Sequence, residues 1–438
     1  MKFLSILATR CSSTILGWFG RGGSLPGSIG LKIDQNILSK LQFSGPLILV
    51  TGTNGKTSTT NLISDVFEDA GYHVITNRKG DNMKPGIVTS LLSNTSFSGK
   101  IKADAIVLEV DELNIRHVLP NLPVTAFVVN NFFRDQLDRA KEMDQLIGSI
   151  ESVLDNYKGL LILNGNDPNV VRLSLRAKNA KCMYFGLAEN DFSTKETSEA
   201  NEGKFCPKCG HHLKYSYYQY SHIGHYACTH CDFKTPPLDV CLENIDLDQN
   251  TFVVGNQTFT CPFSGMYSMY NCAALFACAK AYDIHYNHIE TIFKNAPQPK
   301  GRNEKFISNS IQCILNLIKN PTGANEVIKV IQKETQPHAI CIVLNDREQD
   351  GTDISWIYDT QFEKIMDSST THIVCTGARA YDMALRFHYG NYQGELLVEE
   401  NIEKAIEKTL SLQNYSFVIA TYTALLPARE AIMKGMNL

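Results

Sequence analysis

The stretch from Leu47 to Thr60, LILVTGTNGKTSTT, constrains this chain more than any other. Its apolar run Leu47-Ile48-Leu49-Val50 has strand length, Gly52 and Gly55 punctuate a short loop, and threonines and serines then open a helix. Such a strand, loop and helix start aims backbone N–H groups at one point, where they favour an anion. Lys56 adds a mobile positive charge, and Thr57 stands where a hydroxyl reaches a magnesium ion bridging phosphates. The longer G-x-x-x-x-G-K-[ST] form would need glycine at Val50, so the loop is the shorter Gly52-Thr53-Asn54-Gly55-Lys56-Thr57, with Ser58 following. The expected ligand is a nucleoside triphosphate.

A chain of 438 residues exceeds what one core supports, so two or three domains are expected. The net charge of −4 carries no basic excess of the kind that nucleic acid demands. Thirteen cysteines are many, but four cluster, and Cys272, Cys278, Cys341 and Cys375 sit in apolar helix or strand patterns, which points to reduced, buried thiols in a cytosol. At the N-terminus Arg10 interrupts the apolar run before a signal-like core forms, and no run reaches membrane-spanning length. An amphipathic helix is expected there, its face of Phe3, Ile6, Leu7, Trp18 and Phe19 packing on the protein in preference to a membrane.

Beyond the loop, Leu62, Ile63, Val66 and Phe67 recur at helical spacing and Gly71 supplies a stop. Strands are expected at 72–76, 105–110, 124–130 and 159–163, alternating with helices, the mark of a parallel α/β sheet. Cys206-Pro-Lys-Cys209 and Cys228-Thr-His-Cys231 then form two C-x₂-C knuckles, a pattern that offers four sulfurs to one tetrahedral zinc ion. Between them Tyr215, Tyr217, Tyr218 and Tyr220 run in strand fashion. After a helix at 271–281, Pro297, Pro299 and Gly301 mark the main boundary. The alternation restarts with strands at 311–317, 339–344, 372–375 and 416–420 and a helix at 403–411.

A magnesium-nucleotide site needs a carboxylate at a strand end facing the ligand crevice, and the strand 105–110 offers Glu109, with Asp111 and Glu112 after it. Pattern alone serves a solvated acidic loop equally well. A family resemblance bears on the choice. The short loop, Leu108-Glu109-Val110, Asp135-Gln136-Leu137-Asp138-Arg139, Leu163-Asn164-Gly165-Asn166-Asp167-Pro168, Gly265 with Asn271-Cys272-Ala273-Ala274, and Gly301-Arg302 follow one another as in the Mur ligases of cell-wall peptide synthesis. Folylpolyglutamate synthases are relatives of these. The stretch from Asn131 to Arg139, the four-cysteine ribbon, Lys319-Asn320-Pro321, Asn345-Asp346, the Asp350-Gly-Thr-Asp353-Ile-Ser-Trp356 run and Gly377-Ala378-Arg379-Ala380 resemble the amidating MurT branch, over nearly the whole chain.

The resemblance implies a helical segment at 1–40, a Mur-ligase-type P-loop ATPase domain at 41–300 with a zinc ribbon inserted at 203–236, and a Rossmann-like C-terminal α/β domain at 301–438. It implies ATP and magnesium, with Thr57 and Glu109 on the metal, Asn271 on the adenine and Arg302 reaching the nucleotide. The reaction implied is activation of the α-carboxyl of D-glutamate in the lipid II stem peptide as an acyl phosphate, then attack by ammonia to give D-isoglutamine, in the cytoplasm at the inner membrane face. The chain has no G-x-C-x-G elbow for making ammonia, so a separate GatD-like glutaminase is implied, with the C-terminal domain as its partner-binding part. In that branch the Asp353 position completes the partner's Cys-His pair, a role of orienting the imidazole. Capping a helix begun at Ile354 and Ser355 is the bland alternative, and Asp350 is the runner-up. Departures are Gln136 where the family has a metal-contacting histidine, no lysine near Glu151 where many members carry a carbamylated one, and Ser268 for asparagine. The loop begins at Gly52, leaving no room for the family's uridine-nucleotide domain, which fits a lipid-linked substrate. Two competing readings are a nucleic-acid-binding ATPase that reads through its ribbon and tyrosines, and a folylpolyglutamate-synthase-like ligase.

Overall fold

The computed structural model describes the chain except residues 19–22, 79–80, 134–142, 198–201, 297–300, 302, 309 and 348. The described residues fall into two compact units, one ending at 296 and the other following 300.

The first unit is built on a sheet of nine strands among the described residues. In chain order they are β1 Leu47–Thr51, β2 Val74–Thr76, β3 Ala105–Glu109, β4 Ala126–Val129, β5 Leu160–Asn164 and β6 Lys181–Leu187. A separate hairpin of β7 Leu213–Tyr220 and β8 Ile223–Cys228 intervenes, and β9 Val240–Asp246, β10 Thr251–Val254 and β11 Gln257–Thr260 complete the sheet. The order is β11-β10-β9-β6-β5-β4-β1-β3-β2. Strands from β2 to β9 run parallel and the β9-β10-β11 edge is antiparallel. The hairpin therefore interrupts the connection between β6 and β9, which are sheet neighbours.

The continuous apolar runs have a physical origin in two-sided burial. Ile48, Val50, Val107 and Val128 pack on one face with Leu62, Val66, Ala274 and Leu275. Leu47, Leu49, Ile106 and Phe127 pack on the other with Ile87, Leu91, Ile147 and Ile150. The helix Lys56–Asp69 stops where its sequence says it should. Gly71 (φ 92°) donates its N–H to Glu68 and Tyr72 donates to Phe67, while the rings of Phe67 and Tyr72 lie 5.2 Å apart, a Schellman stop with its apolar contact. Tyr72 is spent in that stop, so β2 begins at Val74 instead of 72.

The N-terminal helix Lys2–Trp18 forms, but of the expected face only Ile6 packs inward. Ser5, Ile6 and Thr9 are buried, whereas Phe3, Leu7 and Trp18 are exposed, Trp18 to 80%, and Phe19 lies outside the described residues. Close approach of backbones decides this. The Ser5 hydroxyl donates to the Gly30 carbonyl at 2.8 Å, and a Cβ on Gly30 would stand 2.2 Å from Thr9 Oγ1, so small residues set the contact with the next helix, Ser24–Ile33.

The second unit holds β12 Glu304–Ser308, β13 Ile311–Leu317, β14 His338–Val343, β15 Thr370–Thr376, β16 Glu395–Val398 and β17 Tyr415–Ala420, ordered β12-β13-β17-β14-β15-β16. All pairs are parallel except β12 with β13. Helices cover both faces, with Ile340, Ile342 and Phe417 in one core and Cys341, Val343 and Val418 in the other. All thirteen cysteines are free thiols. Burial pushes the Cys278 and Cys375 thiols well up and that of Cys341 to about 12, which leaves them inert. Among the described residues no helix is long and apolar enough to cross a membrane.

Phe127→Ala, at a ring with no exposure, is expected to cost about 3–5 kcal/mol. Trp18→Ala should stay within about 0.5 kcal/mol. Scanning calorimetry of the two variants checks the contrast.

Candidate functional site

The loop after β1 is shaped by its glycines. Gly52 has φ 133° and Gly55 φ 83°, both outside the range that side chains favour. A Cβ on Gly55 would lie 2.1 Å from Asn271 Oδ1, so the helix Met266–Ala281 sets the floor of the loop. The first N–H groups of any helix lack acceptors within it, and here they open where Gly55 hands over to Lys56.

The end of β4 clasps this loop. Asn131 accepts the Asn54 N–H on its Oδ1 at 2.8 Å, donates Nδ2 to the Asn54 carbonyl at 3.0 Å, and accepts the Thr53 N–H on its own carbonyl at 2.9 Å. The Phe133 N–H donates to Thr53 Oγ1 at 3.0 Å, and Asn130 Nδ2 donates to Thr59 Oγ1 at 2.8 Å. Thr59 in turn donates to Asn271 Oδ1 at 3.2 Å. Asn271 is therefore buried beneath the loop, held against Gly55 and Thr59.

The acidic side of the site comes from the end of β3. Thr57 Oγ1 donates to Glu109 Oε2 at 2.7 Å, and Asn82 Nδ2 donates to Glu109 Oε1 at 2.7 Å. Asn77 bridges the Glu109 backbone, accepting its N–H at 2.9 Å and donating to its carbonyl at 2.9 Å. The hydroxyl and carboxylate expected to share one cation do lie together, with no solvated loop between them. Lys56 Nζ lies 3.1 Å from both Glu112 oxygens, in a pair whose side chains are only 11% and 9% exposed. Ser58 occupies the first turn of the same helix.

Asn77, Asn82 and Asn130 escaped the sequence reading, which named Glu112 and Asn131 without giving either these contacts. Their shared signal is a polar residue at, or just past, the carboxyl end of a buried parallel strand, where open α/β sheets bind ligands. Arg302, Gln136 and the remainder of the 135–139 motif lie outside the described residues. Glu151, at the expected place of a modified lysine, instead pairs with Arg172 through both oxygens at 2.8 and 3.2 Å.

A second site lies in the inserted ribbon. The sulfurs of Cys206, Cys209, Cys228 and Cys231 all fall within 4.8 Å of one another. Tetrahedral thiolate coordination of zinc at about 2.3 Å needs sulfurs about 3.8 Å apart, and the donor set fits that ion. The Cys206–Cys231 and Cys209–Cys228 separations are 3.6 and 3.4 Å. At Cys228 desolvation opposes the thiolate, but the N–H groups of Cys231 and His230 together with the neighbouring Cys209 and Cys231 thiols bring the group down to about 6. The tyrosines between the knuckles form no platform for bases. Tyr215, Tyr217 and Tyr220 are buried, and the Tyr215 hydroxyl donates to the carbonyls of Gly203 and His222. This removes the observation on which the nucleic-acid reading rested.

In the second unit, Asp353 Oδ1 accepts the Ser355 N–H at 2.8 Å, just before the short turn Ser355–Tyr358. Asp350 is buried and committed internally, accepting the N–H groups of Thr423 at 2.7 Å and Arg347 at 3.2 Å as well as the Thr423 hydroxyl.

Comparison with known proteins identifies the family. Residues 50–228 match the model of the Mur ligase middle domain and residues 317–425 that of the MurT ligase C-terminal region. The chain is 33% identical over 446 residues to the lipid II isoglutaminyl synthase (glutamine-hydrolyzing) subunit MurT of Streptococcus pneumoniae, covering 99% of each chain. It is 32% identical over 419 residues to the subunit of the same name from Staphylococcus aureus, covering 95% of this chain and 94% of that one. Among solved structures it is similar in fold to a pseudomurein peptide ligase type C from Methanothermus fervidus, with TM-score 0.69 and 21% identity, covering 91% of this chain and 81% of that one.

Gly55→Ala adds a methyl group against Asn271 and strains a left-handed backbone by about 1–3 kcal/mol. It is expected to weaken Mg-ADP binding about tenfold or more while Tm falls by only a few degrees. Titration calorimetry checks it.

Proposed function

The chain belongs to the MurT ligases of the Mur ligase family, and from that membership we propose that it is the ATP-dependent ligase subunit of a lipid II isoglutaminyl synthase. It activates the α-carboxyl of D-glutamate in the stem peptide and converts it to D-isoglutamine with ammonia from a glutaminase partner. The observation that carries this reading is Thr57 hydrogen-bonded to Glu109 beside a glycine-shaped phosphate loop, in a chain that aligns end to end with MurT subunits. The match of residues 317–425 to the MurT C-terminal model favours this over a folylpolyglutamate-synthase-like ligase.

The family uses ATP and magnesium, and here Thr57 and Glu109 would hold the metal, which supplies charge neutralisation on the phosphates. Asn82 and Asn77 fix the Glu109 carboxylate in place. The N–H groups at the helix start, from Gly55 to Ser58, would orient the phosphates, and Lys56 would leave Glu112 to meet the charge that develops as the γ-phosphoryl group moves to the carboxylate oxygen. ADP departs. Ammonia then attacks the acyl carbon, phosphate leaves with the carboxylate-derived oxygen, and one proton is lost to give the amide. Asn271, expected on the adenine, is buried beneath the loop and would hold its floor through Thr59. In the second unit Asp353, half-buried where Asp350 is fully buried, would orient the histidine of a GatD-like glutaminase. Zinc on Cys206, Cys209, Cys228 and Cys231 would brace the ribbon. A lipid-linked substrate places the work at the inner face of the cell membrane.

Lys56→Ala is expected to abolish ATP- and glutamine-dependent amidation of lipid II. It also strips a buried carboxylate of its ammonium, at about 3–5 kcal/mol. Lys56→Ala with Glu112→Gln should therefore recover melting temperature but not amidation, and recovered amidation would remove Lys56 from the mechanism. For Asp353→Asn, loss of glutaminase activity in the assembled complex with intact ATP binding is expected; undiminished glutaminase turnover would sink the shared-triad role. Chelation of zinc should lower Tm by several degrees, and an unchanged melting curve would contradict the bracing role.

A further inference from the structure

The ribbon's cysteine knuckles stand at one end of the β7–β8 hairpin, before Leu213 and from Cys228 on. At the other end the chain reverses through Ser221 (φ 47°) and His222. His222 has no exposed surface, although hairpin turns ordinarily face water. Its Nε2 lies 3.3 Å from Asp167 Oδ1, and its ring centroid lies 4.8 Å from that of Phe133.

Asp167 is itself wholly buried. Its Oδ1 accepts the N–H groups of Asn169 and Val170, and its Oδ2 accepts the Phe132 N–H at 2.9 Å. Phe132 and Phe133 continue directly from Asn131, the residue that clasps Asn54 on both sides, and Phe133 exchanges hydrogen bonds with the Thr53 hydroxyl at 3.0 and 3.2 Å. The hairpin is fixed to the same segment by its backbone, with the Gly224 N–H donating to the Asn166 carbonyl at 2.9 Å. A continuous set of contacts thus runs from the hairpin turn through Asp167 and residues 131–133 to the phosphate loop.

We propose that the ribbon is a positioning element for the nucleotide site, and that His222, at its turn, is the positioning residue through which it sets the phosphate loop. This rests on the nucleotide-site reading above. Simple bracing predicts that perturbing the turn lowers stability alone. Positioning predicts that it moves the loop N–H groups and so weakens phosphate binding, because a buried carboxylate that loses the imidazole packed beside it readjusts the hydrogen bonds it accepts from Phe132, Asn169 and Val170. Residues 131–133 are the first to feel that change, and they carry the loop.

The test uses the full-length chain with its glutaminase subunit and Mg-ADP as the probe in titration calorimetry, with steady-state amidation alongside. His222→Ala is expected to weaken Mg-ADP about tenfold and to raise KM for ATP by a similar factor, with kcat at saturating ATP within about twofold of wild type. His222→Gln, which keeps a polar side chain of similar reach beside Asp167, should recover most of the affinity. Phe133→Leu, which removes the ring beneath His222 and leaves the hairpin intact, should weaken binding in the same direction and stands in if His222→Ala fails to fold. Wild-type Mg-ADP affinity in folded His222→Ala or Phe133→Leu protein, whatever the change in Tm, overturns the proposal. Lys56→Ala separates the two levels. If it retains wild-type affinity the nucleotide site itself has been misplaced, whereas loss there beside wild-type affinity in the His222 variant overturns only the ribbon's role.

Discussion

The two-sided hydrogen bonding of Asn54 by Asn131 is the interaction on which the shape of the glycine loop after β1, and so the proposed nucleotide site, depends. A loop that must present its N–H groups to phosphate cannot also spend them on itself, so its shape has to be imposed from outside. Asn131 does this from the end of the neighbouring strand β4, using one carboxamide to satisfy both polar groups of one loop residue. The register of β4 beside β1 places Val129 against Thr51 and so delivers Asn130 and Asn131 to the loop. Two-sided burial of β1 fixes that register, because its slippage would exchange the cores on its two faces.

The same logic governs the charged side of the site. Glu109 ends β3 and is held by Thr57, Asn82 and the backbone contacts of Asn77, a carboxylate oriented before any cation arrives. Lys56 and Glu112 sit as a largely desolvated pair, which stores the ammonium at the mouth of the loop and makes its removal costly to the fold as well as to the chemistry. Stability and the proposed chemistry therefore meet at Lys56, and double variants are the means of separating them.

Much of the architecture is legible in sequence because its causes are local. The run LILV, the helical spacing of Leu62, Ile63, Val66 and Phe67, and the stop at Gly71 depend on near neighbours, and each appears where the pattern places it. The N-terminal helix shows where that reasoning gives out. Its apolar stripe points to Phe3, Ile6, Leu7 and Trp18, yet of these only Ile6 is buried, and Ser5 and Thr9 join it because Gly30 lets the Ser5 hydroxyl reach a backbone carbonyl of the next helix. A hydrophobicity pattern cannot register a contact made by small residues.

What the sequence by itself determined is the set of parts: a short phosphate loop, a carboxylate at the end of a strand, two cysteine knuckles, and two α/β stretches. What only tertiary structure decided is which distant groups meet. Asn131 and Asn54, Glu112 and Lys56, and His222 and Asp167 are each brought together by strand order, and strand order is a property of the packed sheet. Local patterns follow from the bonding and burial of adjacent residues, whereas these pairings follow from burying one apolar surface against another across the whole unit, a choice no single stretch encodes.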